Sequence, residues 1–295
     1  MIRVIGVIGS RPIGARMVNT LSRIPKIKSQ TIFNHHPGDY VFYCLPEEKT
    51  KLFYGIELEL GSSIRYFDKI VPFINTSFMF TSCDGSILPF GTEFKNHPAT
   101  FKFLKKNWVQ WYNIFKQKSL KVNESCGIHI HLSRGAFDEK ILFRFIKFIY
   151  DNKKFSFILS GRTESSFKNW SEIECKNNFQ YLIKTHEILS SRFLEGDKKH
   201  AITVNMGGKT VEVRLFASTK NPLFFWKNLE FCDCLYYFCK HIISDKDLTM
   251  QNFINYLSFR KKRYKNLYIF TMTTFCSEIT GILKMPDYRG NRKNV

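Results

Sequence analysis

The sequence contains no long apolar run. Among its 295 residues, no stretch approaches the roughly 20 consecutive apolar residues that span a bilayer. The apolar run that begins at Met1 is broken by Arg11 and Arg16 before it reaches the length of a secretory signal. We therefore expect a cytoplasmic protein that makes no contact with a membrane.

Acidic residues are scarce compared with basic ones. The chain has 25 Asp and Glu against 45 Lys and Arg, a formal charge of +20. A hydrophobic fraction of 44%, with 30 Phe, excludes disorder as the main state. The basic residues are concentrated at the two ends and around 102–121, and the cluster Arg260–Arg263 is followed by Tyr264 and Tyr268. This charge favours contact of the basic ends with a polyanion such as nucleic acid, or with an acidic protein, that weakens as salt rises.

Paired-cysteine metal motifs are absent. The eight cysteines include no pair separated by two residues, so we expect free thiols in a reducing compartment. The spacing of Cys232, Cys234 and Cys239 predicts one buried helix rather than a zinc site.

Changes in composition and patterning predict three regions. Residues 1–50, rich in Gly, Pro and basic side chains, are expected to form a basic arm or small irregular subdomain. The glycine spacing there does not match the dinucleotide-binding fingerprint. Residues 51–245 carry the regular patterns of a folded domain, and 246–295 predict a basic helical extension.

Three segments alternate in the manner of half-buried strands: 53–60, 127–132 and 210–216. Each places apolar residues on one face and a polar pair on the other. These pairs are Glu57 and Glu59, His129 and His131, and Glu212 and Arg214. Apolar residues at three- and four-residue steps predict helices over about 99–117, 137–150, 173–193 and 222–243.

If the three strands are neighbours in one sheet, their polar faces form one surface. A short loop, Cys83–Ser86, and the segment Gly91–Glu93 could add two carboxylates, Asp84 and Glu93. Clustered carboxylates repel one another unless a cation lies between them, and their hard oxygen atoms favour Mg²⁺ or Mn²⁺. Each pair alone also fits a solvated strand face, a structural histidine pair or a surface ion pair.

The motifs resemble those of the amidoligase family, carboxylate–amine ligases related to glutamine synthetase and glutamate–cysteine ligase. The similarity covers about 52–240 and depends on the order of several short segments. These are Gly55–Glu59, Asp84–Ser86, Gly91–Glu93, Cys126–His131, Asn205 and Thr210–Phe216.

The many Phe, Lys and Asn residues are typical of AT-rich coding sequence such as that of a phage.

The resemblance implies an α+β fold like that of glutamine synthetase, with an antiparallel sheet whose polar face is the active site and whose other face is covered by helices. It also implies ATP-dependent amide formation through an acyl phosphate, with two or three Mg²⁺ or Mn²⁺ ions. The substrates would be an amine and a carboxylate of an amino acid, peptide or protein. The implied metal ligands are Glu57, Glu59, Glu93, His129 and Glu212.

The remaining roles come from the same resemblance. Glu59, Glu212 and Arg214 would be catalytic, with Arg214 stabilising the transferring phosphoryl group. His131, Arg162 and Asn205 would bind the nucleotide or its phosphates.

Two other classes stay open. A DNA-nicking replication initiator would use His129 and His131 as a metal site and Tyr181 as nucleophile, since Tyr181 and Lys184 lie on a predicted helix. That interpretation leaves Glu57, Glu59, Glu212 and Arg214 unexplained. A nucleic-acid-binding or viral structural protein would use the basic ends alone.

Overall fold

The computed structural model describes part of the chain, and it divides that chain into two compact units, Met1–Pro222 and Leu223–Val295. This division differs from the sequence-based boundaries at 50 and 245. The residues described are 3–8, 11–12, 16–17, 40–62, 77–84, 87, 90–171, 202–204 and 209–280.

A small antiparallel sheet is present where the sequence predicted an irregular arm. Strand β1 (Arg3–Ile8) pairs with β2 (Arg11–Pro12), β3 (Arg16–Met17) and β4 (Val41–Cys44). The glycine-rich run therefore includes the strand β1 and the short strand β2 that pairs with it.

The main sheet of the first unit holds seven strands among the described residues, and all of its pairings are antiparallel. The order is β10, β11, β9, β5, β7, β6, with β8 paired to β5. The expected α+β class with an antiparallel sheet is thus confirmed. The strands are β5 (Tyr54–Ser62), β6 (Met79–Asp84), β7 (Phe90–Asn96), β8 (Leu120–Lys121), β9 (Gly127–Ser133), β10 (Ile202–Val204) and β11 (Thr210–Ala217).

The three predicted strands are confirmed as β5, β9 and β11, and they are direct neighbours. Their alternating apolar residues are at most 1% exposed, so this face of the sheet forms core. These residues are Ile56, Leu58, Leu60, Ile128, Ile130, Leu132, Val211, Val213 and Leu215.

The loop predicted at Cys83–Ser86 is wrong for Cys83 and Asp84, which lie in β6, while Gly85 and Ser86 lie outside the described residues. The segment Gly91–Glu93 lies in β7, which pairs with β6 over Gly91–Asn96. Gly91 and Thr92 interrupt the alternation of apolar and polar residues along β7, so this strand was not recognised from the sequence. Within β7, Glu93 lies directly opposite Glu59 of β5.

The helices of the first unit are shorter than expected. The helix predicted over 99–117 is two helices, α1 (Phe101–Lys106) and α2 (Val109–Phe115), and the first begins at the N-cap Thr100. The helix predicted over 137–150 is α3 (Glu139–Asp151), capped by Asp138. It is followed by α4 (Lys153–Ser160) and α5 (Glu164–Trp170), both of which pack against β11. The helix predicted over 173–193 lies outside the described residues.

The second unit contains the helices α6 (Pro222–His241), α7 (Met250–Phe259) and α8 (Lys265–Thr280). As predicted, Cys232, Cys234 and Cys239 are buried free thiols on one helix. In the part of the chain that the structure describes, no helix is both long and apolar enough to cross a membrane.

Candidate functional site

The candidate site lies on the polar face of the main sheet, where cross-strand pairing brings the predicted residues together. Glu57 lies opposite His129 of β9 on one side and Lys95 of β7 on the other. His131 lies opposite Glu212 of β11. Because side chains on neighbouring antiparallel strands are about 5 Å apart, three adjacent strands suffice to assemble the cluster.

Two histidines and two carboxylates form the centre of the cluster. His129 Nδ1 lies 3.4 Å from Glu57 Oε2 and 3.5 Å from Glu212 Oε1. His131 Nε2 lies 3.5 Å from Glu57 Oε1 and 3.9 Å from Glu212 Oε1. Glu57, His131 and Glu212 each offer a ligand atom, and these three atoms lie within 4.8 Å of one another. This trio could hold a metal ion.

The His131 imidazole tests whether a cation fits. Among the described residues, its buried Nε2 has no hydrogen-bond partner, and the carboxylate oxygens of Glu57 and Glu212, at 3.5 Å and 3.9 Å, are beyond the usual range. Its Nδ1 lies 3.4 Å from Thr210 Oγ1. A buried polar atom that points at two carboxylates without a well-formed hydrogen bond suits a metal ligand.

The pKa shifts follow from this mixture of charges. Burial alone would raise the pKa of Glu57, but the charge of His131 and the nearby His129 and Lys95 hold the pKa well below its ordinary value. Glu212 behaves similarly: burial raises its pKa, and His131, His129 and Arg214 together lower it. Both groups are therefore carboxylates at neutral pH, the form that binds cations.

Lys95 extends the cluster toward β7 and was not predicted from the sequence. Its Nζ lies 3.1 Å from Glu57 Oε1 and 2.6 Å from Glu93 Oε2. Glu93 Oε2 also accepts a hydrogen bond of 2.6 Å from Ser82 Oγ. Burial lowers the pKa of Lys95, but the charges of Glu57 and Glu93 outweigh that effect and raise it. The alternation of Glu93 and Lys95 was the available signal, once β7 is recognised as a strand.

Glu59 is the most enclosed carboxylate of the cluster, at 6% exposed. Its Oε2 accepts a 2.5 Å hydrogen bond from the Gly127 amide, and its Oε1 lies 3.5 Å from His129 Nε2. Arg162, also buried, faces it: burial lowers the Arg162 pKa to about 10, while Glu59 raises it and Arg214 lowers it further. Gly127 was also missed, because a glycine at a strand end carries no chemistry of its own.

A β-bulge sets the position of Arg214. The register of β11 against β9 shifts between Val213 and Phe216, which adds one residue to β11. Arg162 Nε donates to the Leu215 carbonyl at 3.3 Å, and Ser171 Oγ donates to the Arg214 carbonyl at 2.8 Å. These bonds stabilise the irregular backbone, as expected for a bulge that redirects a side chain beside a site.

The Arg214 guanidinium lies at the edge of the metal-binding trio. Its Nη1 donates to Glu212 Oε1 at 2.6 Å, whereas its Nε is buried and has no hydrogen-bond partner among the described residues. Arg214 therefore keeps donor capacity that Glu212 does not use.

The structure therefore brings together most of the residues that the sequence singled out. They are Glu57, Glu59, Glu93, His129, His131, Arg162, Glu212 and Arg214. Asn205 and Tyr181 lie outside the described residues, as does the side chain of Asp84. Among the described residues, the trio with ligand atoms close enough for one metal ion is Glu57, His131 and Glu212. The predicted role of His129 as a metal ligand stays a prediction.

The basic cluster Arg260–Arg263 in the second unit is partly structural. Arg263 donates from Nη2 and Nε to Oδ2 of the buried Asp233, at 2.8 Å and 3.1 Å. Arg260 lies over the Tyr256 ring, 3.6 Å from its centroid. Contact of the remaining lysines with a polyanion stays a prediction.

Comparison with known proteins gives no relative for this chain: no protein-family model, no curated protein and no solved structure matches it.

Proposed function

We propose that the protein is an ATP-dependent carboxylate–amine ligase with a glutamine synthetase-like catalytic domain, acting through an acyl phosphate. One observation carries the proposal: four carboxylates, two imidazoles and the Arg214 guanidinium converge on one face of four neighbouring strands, with the Arg162 guanidinium beside them. Phosphoryl transfer depends mainly on positioning and on neutralising charge, and this set of side chains is suited to both.

The metal ion of this reaction would be Mg²⁺ or Mn²⁺, held by Glu57, His131 and Glu212. When bound, such an ion neutralises phosphate charge and orients the γ-phosphoryl group of the nucleotide. His129, between Glu57 and Glu212, keeps those carboxylates oriented toward the ligand position. This assignment makes His131 a ligand and His129 its neighbour.

The chemistry would proceed in two steps. A carboxylate oxygen of the first substrate attacks the γ-phosphorus of ATP, and the bond from that phosphorus to the ADP oxygen breaks. The amine nitrogen of the second substrate then attacks the acyl carbon, and the carbon–oxygen bond to phosphate breaks. The amine loses its proton to a carboxylate, for which Glu59 is suitably placed and already held by the Gly127 amide.

Two arginines would bind the anionic groups of the substrates. Arg214 would bind the transferring phosphoryl group with the donor that Glu212 leaves free. Arg162 would stabilise the β11 bulge through its hydrogen bond to the Leu215 carbonyl. Its Nη2, next to Gly127, would bind an anionic group. The substrates are then an amine and a carboxylate, with a polyanion or acidic polypeptide as a further partner of the basic ends.

The test is trapping of the acyl phosphate with hydroxylamine, which replaces the unknown amine. Wild-type protein with ATP, Mg²⁺, hydroxylamine and a panel of amino acids, dicarboxylic acids and peptides should form a hydroxamate with stoichiometric ADP. Glu57→Gln should reduce the rate at least 100-fold, because the metal loses a charged ligand. Lys147→Met, a change in a surface ion pair of α3 with Asp151, is the matched control.

The competing DNA-nicking activity has its own signature. Cleavage of single-stranded DNA that disappears in Tyr181→Phe, with no hydroxamate from any acid in the panel, would reject the ligase.

A further inference from the structure

Lys95 occupies a position between two carboxylates that were both expected to bind metal. It lies directly opposite Glu57 across the β5–β7 pair and two residues from Glu93 on the same strand. Its ammonium group contacts both carboxylates, and the side chain as a whole is 14% exposed. It is therefore a protein cation enclosed by the site rather than a surface lysine.

Glu57 is shared between this ammonium and the metal-binding trio. The same oxygen, Oε1, lies 3.1 Å from Lys95 Nζ and 3.5 Å from His131 Nε2. A carboxylate that faces two cation positions is the usual bridge of a two-metal site, in which the ions are about 4 Å apart. In this chain, one of the two positions already contains a lysine.

We propose that the Lys95 ammonium replaces a second metal ion, so that the site takes a single divalent cation, at Glu57, His131 and Glu212. This inference rests on the metal site of the proposed function and revises the expectation of two or three ions. It makes Glu93 a partner of Lys95 instead of a metal ligand. Lys95 is then a fixed positive charge beside the transferring phosphoryl group.

The charges of the cluster support a single ion. Its carboxylates are Glu57, Glu59, Glu93 and Glu212, and its protein cations are Lys95, Arg162 and Arg214. A histidine that binds a metal ion must be neutral, and with both histidines neutral one uncompensated negative charge remains, which one divalent ion more than balances. A second ion between Glu57 and Glu93 would have to enter at the position of the ammonium and repel it.

The experiment is a Mn²⁺ titration of the full chain at pH 7.5, in which the electron paramagnetic resonance signal of free Mn²⁺ counts the bound ions. Wild type should bind one ion, and Lys95→Met should bind two because Glu57 and Glu93 become available together. Lys95→Arg retains the positive charge and should bind one. The control Lys147→Met should also bind one.

Glu93→Gln is a second test that does not depend on the folding of Lys95→Met. If Glu93 serves only Lys95, this variant keeps the wild-type ion with an affinity changed less than threefold. In the Lys95→Met background the same substitution should return the count from two to one. Two ions on wild type, an unchanged count in a folded Lys95→Met, or loss of the wild-type ion in Glu93→Gln would each overturn the inference.

These outcomes are separate from those of the ligase assay. One bound Mn²⁺ with no hydroxamate would remove the proposed function and leave the single-ion site intact. Hydroxamate formation by a protein that binds two Mn²⁺ ions would support the proposed function and reject the single-ion site. No bound Mn²⁺ would reject the single-ion site whatever the assay gives.

Discussion

Gly127 and Arg162 are so close that no side chain fits between them. A Cβ atom built on Gly127 would lie 2.7 Å from Arg162 Nη2, and also 3.2 Å from His129 Nε2 and 3.3 Å from Glu59 Oε2. Strand β9 therefore begins with a glycine because the side chains of Arg162, His129 and Glu59 occupy the volume that a Cβ atom would need.

Gly127→Ala should damage the site more than it damages the fold. The new methyl group must displace the buried Arg162 guanidinium, which already bonds to the Leu215 carbonyl and Ser166 Oγ. We expect a loss of about 1–3 kcal/mol in the free energy of unfolding, measured with urea, and a larger proportional loss of hydroxamate formation. Gly135→Ala is the control, since nothing lies within 4 Å of its added Cβ; equal effects of the two variants would contradict the packing argument.

Metal binding should stabilise the first unit. A ligand that binds only the native state at 100 times its dissociation constant adds about 2.7 kcal/mol, so Mn²⁺ should raise the melting temperature of wild type. Glu212→Gln and His131→Asn should weaken this response at least tenfold in Mn²⁺ concentration. Glu124→Gln changes an exposed acid and should keep the wild-type response. If Glu124→Gln weakens the response as much as Glu212→Gln does, the binding of Mn²⁺ is non-specific.

Lys227 should make the stability of the second unit depend on pH. The side chain is 2% exposed, and burial lowers its pKa to about 7 from 10.5. Between these values the unfolded chain holds a proton that the native state lacks, so the free energy of unfolding rises with pH by about 1.4 kcal/mol per unit. The gain is complete above the unfolded pKa and is lost as pH falls toward 7.

The measurement is urea unfolding of wild type and Lys227→Met at pH 7.5 and 9.5. Wild type should gain about 2–3 kcal/mol over this interval relative to the variant, which cannot titrate at this position. Parallel pH profiles would show that Lys227 is protonated in the native state. Lys240→Met, an exposed change on the same helix, should follow wild type.

Arg263→Met should destabilise the second unit by leaving a buried charge poorly compensated. Asp233 is 1% exposed and accepts hydrogen bonds from Arg263 and, at 2.8 Å, from Tyr264 Oη. Because the Arg263 side chain is 39% exposed, water can partly replace it, and we expect about 2–4 kcal/mol in thermal or urea unfolding. Lys262→Met should cost less than about 0.5 kcal/mol, and a similar loss in both would mean that Asp233 does not depend on Arg263.

The sequence was most informative where alternation was uninterrupted. β5, β9 and β11 each keep a clean two-residue period, so the alternation alone assigns their polar pairs to one face of each strand. The adjacency of these strands could not be predicted in the same way, because pairing depends on contacts distant in the sequence. Lys95 illustrates the difference: without the β5–β7 pairing it is one of many lysines.

Local irregularities were also beyond prediction. The bulge in β11 leaves both Leu215 and Phe216 buried, so the apolar pattern reads as a regular strand that happens to end in two hydrophobic residues. The break between α1 and α2 at Asn107 and Trp108 is similar, since neither residue is a strong helix breaker.

The bulge in β11 divides that strand into two parts with separate constraints in evolution. Thr210–Val213 must preserve the side of the sheet on which Glu212 lies, whereas Phe216 and Ala217 must preserve the pairing with β9 and the burial of Phe216. Distant relatives can therefore share Glu212 and Arg214 and still differ by one residue in the length of this strand.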